Sequence, residues 1–187
     1  MSGRDQFGGG HVLKELDRFP DDAFGGAPVL RGKPTLIIWL RHFGCRFYQE
    51  AKLLLPTLHD RLAAAGIDLV CVVQGTEEET RTFWPFQEIP CVPDPDKRSY
   101  KLIGLGRTSL FKIFFPVDAL KKRRAEATSL GCAMDNRGTA LRNSDILQLP
   151  GYAFLDKGGK ILLVHRGRHT GDLDLSGAIV GKLLLLL

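Results

Sequence analysis

The sequence has no apolar run long enough to cross a bilayer and no apolar leader behind a basic start. Its closing run, Leu183 to Leu187, is far shorter than the roughly 20 apolar residues that a spanning helix needs. The 26 Lys and Arg residues exceed the 21 Asp and Glu residues by only five, less positive charge than a dedicated nucleic-acid binder carries. We therefore predict a cytoplasmic protein without a membrane partner or a specific nucleic-acid partner.

Cysteine is scarce, and its copies lie far apart in the chain. Without a secretory signal, this spacing favours reduced thiols over a disulfide framework. Cys71 lies in the middle of an apolar run and is predicted to be an inert core residue, and Cys91 lies beside Pro90 in a short predicted strand. The four cysteines are Cys45, Cys71, Cys91 and Cys132.

Convincing metal-ligand motifs are also missing. His42 with Cys45, and His165 with His169, have the spacing of ligand pairs, but the two pairs belong to separate predicted elements. The sequence therefore predicts neither a metal site nor a cofactor.

The length and composition suit one folded domain. The chain has 187 residues, 44% of them hydrophobic, which is enough for a substantial core. Residues 1–28 contain three consecutive glycines and a glycine- and proline-rich end, and we predict that they form a flexible N-terminal segment. Residues 29–187 are predicted to form the domain.

A strand, a helix and a second strand are readable near the start of this domain. PTLIIWL (34–40) is a nearly unbroken apolar run, typical of a strand that is covered on both faces. From Phe47, apolar residues recur at helical spacing until Gly66, with Pro56 predicted to kink the helix. IDLVCVV (67–73) is a second buried strand, so the two strands should be parallel through a right-handed crossover.

Further along the chain, shorter sequence patterns predict two short helices, a hairpin and a final helix. Thr76 and Glu79 form a capping-box pattern for a helix that ends near Trp84, and CVPDPDKRSYKLIGLG predicts a turn, a short helix and a glycine stop. Residues 152–156 and 160–166 flank a glycine turn and predict a β-hairpin. A final helix is predicted after Asp172, with these residues facing inward: Leu173, Ile179, Val180 and Leu183.

Residues 107–148 are the least regular stretch and predict either an inserted helical segment or a mobile flap. The basic run Lys121 to Arg124 within them is predicted to be a solvated helix face. Large aromatic residues are expected to pack in the core or at a homodimer surface. They are Phe43, Trp84, Phe111 and Phe114.

Three stretches of the sequence carry a family resemblance. RGKPTLIIWLRHFGC, PDPDKRSYKLIGLGR and QLPGYAFLDKGGKILLVHRGR occur in this order within about residues 29–175. In order and motif they resemble the peroxiredoxin-like AhpC/TSA family of the thioredoxin-like superfamily. The resemblance implies an α/β, thioredoxin-like fold, with a central mixed β-sheet flanked by helices and an inserted segment before the C-terminal hairpin. It also implies that Pro150 abuts Cys45 and follows a cis peptide bond.

The sequence departs from the family pattern at two places. Thioredoxin-like members often carry Cys-x-x-Cys, whereas Tyr48 here takes the place of the second cysteine. Typical peroxiredoxins carry Pro-x-x-x-Thr/Ser-x-x-Cys, whereas Ile38 and His42 stand at the proline and hydroxyl positions. The hydrogen bond that activates the peroxide in that motif therefore has no obvious donor, unless His42 supplies it.

Cys45 is the best candidate for chemistry, because it is predicted to lie where a strand runs into a long helix. A cysteine reacts as its thiolate, and a helix N-terminus and nearby cations both favour that form. Arg41, His42 and Arg46 are close in sequence, and Tyr48 is predicted either to hydrogen-bond near the sulfur or to pack in the core.

The remaining candidate residues lie far from Cys45 in the sequence. Oxidation of Cys45 by a peroxide would give a sulfenic acid that a second thiol resolves, and Cys132 is the better internal candidate for that thiol. Arg107 and Arg166 are candidates for orienting peroxide oxygens, with surface solvation as the alternative.

Our first hypothesis is a peroxiredoxin-like thiol oxidoreductase that reduces small hydroperoxides through Cys45 alone. It would use an external thiol reductant of the thioredoxin or glutathione type. Two alternatives stay open: a thiol–disulfide or deglutathionylating oxidoreductase that acts through a mixed disulfide at Cys45, and a non-catalytic thioredoxin-fold binding module.

Overall fold

The computed structural model describes residues 12–24, 32–134 and 144–187. Its helices and strands alternate along the chain, as expected of an α/β fold. In chain order they are β1 (Thr35–Trp39), α1 (Arg46–Ala64), β2 (Asp68–Val73), α2 (Glu77–Phe83), β3 (Cys91–Pro93), α3 (Arg98–Leu102), α4 (Leu110–Phe114), α5 (Asp118–Ser129), β4 (Gly151–Leu155), β5 (Ile161–Arg166) and α6 (Ala178–Leu184).

The strands form one mixed sheet in the order β3-β2-β1-β4-β5. The central strand β1 runs parallel to β2 and antiparallel to β4, and β4 and β5 form the antiparallel hairpin. β3 joins the sheet parallel to β2. The predicted fold class, a thioredoxin-like mixed sheet flanked by helices, is confirmed.

Both faces of the sheet are covered, which explains the unbroken apolar run of β1. Leu36 and Ile38 pack into the core on the face covered by α1, and Ile37 and Trp39 pack into the core on the opposite face. Successive residues of a strand point to opposite faces, so a central strand with two cores needs apolar residues at every position.

Helix α1 is the longest helix of the described chain and runs through Pro56 without a break. Its buried stripe packs on the sheet, with Leu55, Leu58 and Leu62 fully enclosed. The chain leaves the helix at Gly66, whose φ of 71° lies in the left-handed region that glycine adopts at low cost. The kink predicted at Pro56 stays a prediction.

Part of the predicted flexible N-terminal segment packs on the sheet. Leu13 and Phe19 are buried in the core on the face opposite α1, and the amide of Leu16 donates to the carbonyl of Ile161 at 2.8 Å. Residues 1–11 and 25–28 of that segment lie outside the described residues.

The short helices follow their sequence signals. Thr76 and Glu79 form the predicted capping box: Thr76 Oγ1 accepts from the Glu79 amide at 3.1 Å, and Glu79 Oε2 accepts from the Thr76 amide at 2.8 Å. In α6, Ile179, Val180 and Leu183 face the core as predicted.

The described part of residues 107–148 contains the two helices α4 and α5. The interpretation of the basic run as a solvated face holds for Lys121 and Lys122, but it is wrong for Arg123 and Arg124, which are half-buried. Arg123 turns inward because Glu50, buried on α1, forms an ion pair with it at 2.7 Å. None of the helices in the described ranges is long and apolar enough to cross a membrane.

Candidate active site

Cys45 occupies the junction between β1 and α1, as the N-cap residue of that helix. Its amide donates to the carbonyl of His42 at 2.9 Å, and its own carbonyl accepts from the amides of Tyr48 and Gln49. The side chain is only 3% exposed. The sulfur therefore lies at the N-terminus of a 19-residue helix, where the helix dipole favours negative charge.

The guanidinium group of Arg41 contacts that sulfur. Its Nη1 donates to Cys45 Sγ at 2.9 Å. Its Nε donates to the carbonyl of Gln148 at 3.0 Å, and its Nη2 donates to the carbonyl of Ile146. Two backbone carbonyls of the loop before β4 thus hold a buried positive charge against the thiol, and the sequence had not pointed to Ile146 or Gln148.

Pro150 ends the same loop and is buried, and its carbonyl accepts from the amide of Gly167 at 2.9 Å. The expected cis bond before Pro150 is wrong, because every peptide bond of the described chain is trans. Trans is the lower-energy isomer of an X–Pro bond. With the trans bond before Pro150, the carbonyls of Ile146 and Gln148 both accept hydrogen bonds from Arg41.

Asp145 fixes the position of this loop. Arg107 contacts both of its carboxylate oxygens, at 2.8 and 3.1 Å, and the side chain of Gln74 bonds to its backbone at 2.9 and 3.3 Å. Burial raises the pKa of Asp145, but the hydrogen bonds from Arg107 and the Leu147 amide outweigh it and leave the pKa below its usual value. Arg107, predicted to orient peroxide, is thus engaged in positioning the loop.

His42 is buried beside the junction, and its Nδ1 has no hydrogen-bond partner among the described residues. The pKa of His42 is lowered to about 4, chiefly by burial and additionally by the charge of Arg41, with Asp145 opposing the shift. The imidazole is therefore neutral at physiological pH and has one ring nitrogen free for another group.

Arg46 and Tyr48 make their hydrogen bonds away from the sulfur. Arg46 Nη1 donates to Thr128 Oγ1 at 2.6 Å and to the carbonyl of Arg124 at 3.2 Å, so this side chain reaches toward α5. The hydroxyl of Tyr48 donates to the carbonyl of Phe83 at 2.9 Å, and burial raises its pKa. Of the two interpretations of Tyr48, the packing one agrees with these contacts.

Arg124 is a further basic residue near Cys45 that the sequence analysis missed. Burial lowers its pKa, as do the charges of Arg46 and Arg41, whereas Cys45 raises it. Leu120 and Ala127 are the buried residues of α5 and are seven positions apart, so Arg124 lies on the inward side between them. That spacing was readable, but the run of four basic residues favoured a solvated face.

The other predicted site residues lie elsewhere. Cys132 is buried in the same core as Cys45, where burial and the charge of Glu50 raise its pKa. Its role as a resolving thiol stays a prediction. Arg166 donates to the carbonyls of Ile103 and Leu13, at 2.8 and 2.6 Å, and joins β5 to the end of α3 and to the N-terminal segment.

The two remaining cysteines are register partners in neighbouring strands, Cys71 in β2 and Cys91 in β3. Burial raises the pKa of both thiols well above its usual value. All four cysteines are free thiols. Cys71 is buried, as predicted.

A cavity of about 350 Å³ opens beside α1, and Cys45 is not among its lining residues. Two of its acidic lining residues already have ion-pair partners, Glu50 with Arg123 and Asp172 with Arg168. No cluster of three or more His, Cys, Asp or Glu residues in the described parts of the chain could hold a metal ion.

Comparison with known proteins shows which family the chain resembles. The family model described as AhpC/TSA antioxidant enzyme matches residues 54–169, a stretch that begins after Cys45. A prostamide/prostaglandin F synthase from Salmo salar is 30% identical over 138 residues, which are 72% of this chain and 66% of that protein. The chain thus spans just under two thirds of that relative.

Solved structures share the fold at lower identity. A thiol peroxidase from Chromobacterium violaceum superposes with a TM-score of 0.58 at 16% identity, covering 94% of this chain and 88% of that one. A peroxiredoxin-like protein from Aquifex aeolicus gives 0.55 at 15% identity, covering 95% and 90%. The match to the family model covers more than half of the chain, and we conclude that this protein belongs to the AhpC/TSA antioxidant enzyme family, on a thioredoxin-like fold.

Proposed function

We propose that the protein is a thiol peroxidase in which Cys45 reduces hydroperoxides. The observation that carries the proposal is the hydrogen bond from the buried Arg41 guanidinium to Cys45 Sγ. A charge-assisted donor fixed by protein carbonyls stabilises a thiolate without having to reorganise, and the helix N-terminus adds to this effect.

In the oxidising step, the Cys45 thiolate attacks one oxygen of the peroxide. An S–O bond forms, the O–O bond breaks, and the leaving oxygen takes a proton and departs as an alcohol or water, which leaves Cys45 as a sulfenic acid. Arg41 is placed to stabilise the negative charge that moves from sulfur to the leaving oxygen. The unpartnered Nδ1 of His42 would hydrogen-bond a peroxide oxygen, in place of the family's Ser or Thr hydroxyl.

In the reducing step, an external thiol attacks the sulfenic sulfur and releases water. A second thiol equivalent then frees Cys45 and leaves as part of a disulfide. This one-cysteine cycle needs no second cysteine of the chain. In the alternative cycle, the Cys132 thiol attacks the sulfenic acid and forms an internal disulfide, which the external thiol then reduces. A thioredoxin- or glutathione-type reductant, a homodimer and a cytoplasmic location remain predictions.

A second candidate concerns the substrate rather than the chemistry. The salmon relative is named as a prostamide/prostaglandin F synthase, so a substrate of the prostamide or prostaglandin type is the alternative to a small hydroperoxide. The 3% exposure of Cys45 favours the small peroxide. Oxidation rates with hydrogen peroxide and with the bulky cumene hydroperoxide would separate the two.

The proposal is tested by mass spectrometry of the reduced protein after one equivalent of hydrogen peroxide, with a sulfenic-acid trap present. We expect rapid trapping at Cys45 that is lost in Cys45→Ser and kept in the matched variant Cys71→Ser. A Cys45–Cys132 disulfide would add an internal resolver. Slow and indiscriminate oxidation of all four thiols would overturn the proposal and favour the non-catalytic module.

A further inference from the structure

Helix α4 and the turn after it expose a row of large apolar side chains. Each is between 52% and 73% exposed, in a fold that buries most of its large apolar residues. We call this row the α4 patch; it consists of Leu110, Phe111, Phe114, Phe115 and Val117. Isolated exposed apolar residues are ordinary, but a contiguous group marks an interaction surface.

The α4 patch is held in place by the helix behind it. Arg124 of α5 donates to the carbonyl of Ile113 at 2.9 Å, and Ser109 caps α4 by accepting from the Lys112 amide at 3.3 Å. The rings of Phe111 and Phe115 contact each other, with centroids 4.9 Å apart. The aromatic side chains are thus presented outward on an anchored element.

The charge around the patch is positive. Residues 110–124 contain five basic residues and one acidic residue, Asp118. Lys112 lies between the exposed phenylalanines, and Lys121 and Lys122 are exposed on α5. An apolar row bordered by lysines complements a bilayer surface that contains anionic lipids, where aromatic rings insert at the headgroup level and lysines contact the headgroups.

We propose that the α4 patch docks the protein on anionic membrane surfaces. A second copy of the chain is the weaker partner, because a symmetric contact would bring the same positive surfaces together. Docking of this kind is peripheral and needs no spanning helix, so it departs from the sequence-based prediction of no membrane partner, which rested on the lack of a long apolar run. The surface lies close to the candidate active site, since Arg124 contacts α4 through Ile113 and accepts from Arg46, the residue after Cys45.

The test is co-sedimentation of the full chain with vesicles of phosphatidylcholine, with and without phosphatidylserine. We expect binding to the vesicles with phosphatidylserine, weakened by added salt because the lysine contribution is screened. The double variant Phe111→Asp/Phe114→Asp should bind at least about tenfold more weakly, because two inserted rings become carboxylates. The matched control Leu53→Asp removes an apolar side chain that is 56% exposed on α1 and should bind like the wild type.

Three outcomes would overturn the proposal. They are no binding of the wild type to vesicles with phosphatidylserine, equal binding by the double variant, and a concentration-dependent dimer in sedimentation that the double variant abolishes. Because both phenylalanines are exposed, the double variant should keep its fold, which its urea transition checks. Vesicle binding is measured without peroxide, so the result does not depend on the chemistry of Cys45.

Discussion

Cys45 and Cys71 lie in the same core, on the same side of the sheet, and are almost equally buried, at 3% and 0% exposure. Cys71 is a register neighbour of Ile38 on one side and of Cys91 on the other, and burial raises its pKa. Cys45 is the N-cap residue of α1, and its Sγ accepts a hydrogen bond from Arg41 Nη1 at 2.9 Å. Burial by itself disfavours the thiolate form of a cysteine, and a fixed positive group beside the sulfur opposes that effect.

The difference follows from where each cysteine lies along the chain. In mid-strand, the backbone groups around Cys71 are used by the sheet, and the side chains around it are apolar. At the end of β1 the chain leaves the sheet, and two backbone carbonyls of the loop before β4 lie within reach of Arg41. Those carbonyls accept from Arg41 and allow a charged group to be buried next to Cys45.

The largest expected effect comes from removing that group with Arg41→Leu. We expect oxidation of Cys45 by hydrogen peroxide to slow by about 10²- to 10³-fold, the usual loss for one preorganised donor. The free energy of unfolding should fall by about 2–4 kcal/mol, because two carbonyls lose a buried donor. Stopped-flow oxidation and urea unfolding measure the two effects.

Arg41→Lys is the matched control, since it keeps the charge and loses the three-way hydrogen bonding. Its oxidation rate should lie between those of the wild type and Arg41→Leu. A folded Arg41→Leu variant whose Cys45 still reacts at the wild-type rate would break the contrast between the two cysteines.

The second prediction concerns His42, which is buried and whose carbonyl accepts from the Cys45 amide. Its pKa is lowered to about 4 in the folded protein, so the unfolded chain binds the additional proton as the pH falls from about 6.5 to about 4. The stability that the neutral imidazole contributes is present above pH 6.5 and is lost through this range, by on the order of 3 kcal/mol.

His42→Gln provides the control, because other groups also titrate in this range. Urea unfolding of both proteins between pH 7 and pH 4 should show the wild type losing more stability than the variant. Parallel curves for the two proteins would mean that folding does not lower the pKa of His42.

A third, smaller effect compares serine at the two cysteine positions. Cys71→Ser places a hydroxyl in apolar surroundings and should cost about 1–3 kcal/mol of unfolding free energy. Cys45→Ser should cost less, because Arg41 can donate to the new oxygen. Urea midpoints give the order, with Cys71→Ala as the control that has no hydroxyl. If Cys45→Ser proved the more destabilising, the polar description of its surroundings would be wrong.

The smallest effect is expected for Arg107→Ala. This side chain is 60% exposed and forms an ion pair with Asp145, so its loss should cost less than about 1 kcal/mol. The oxidation rate of Cys45 should stay within about twofold, because Gln74 still holds the Asp145 backbone. A large drop in that rate would support the prediction that Arg107 orients peroxide.

Most of the fold was readable from the sequence because its signals are local. Two buried strands, the helix between them, the capping box at Thr76 and the hairpin depend on residues a few positions apart. The inward turn of Arg123 and Arg124 was not read correctly, because their partners Glu50 and Ile113 belong to other elements. The trans bond before Pro150 was mispredicted because the family resemblance outweighed the general preference for trans.

The sequence by itself determined that Cys45 lies where a strand runs into a long helix, because hydrophobic periodicity changes there from the strand pattern to the helical one. Only the tertiary structure decided which neighbour contacts the sulfur. Arg41 and Arg46 are equally plausible in sequence, but a buried guanidinium must find acceptors. For Arg41 one of them is the carbonyl of Gln148, 107 residues further along the chain, while Arg46 finds its acceptors on α5.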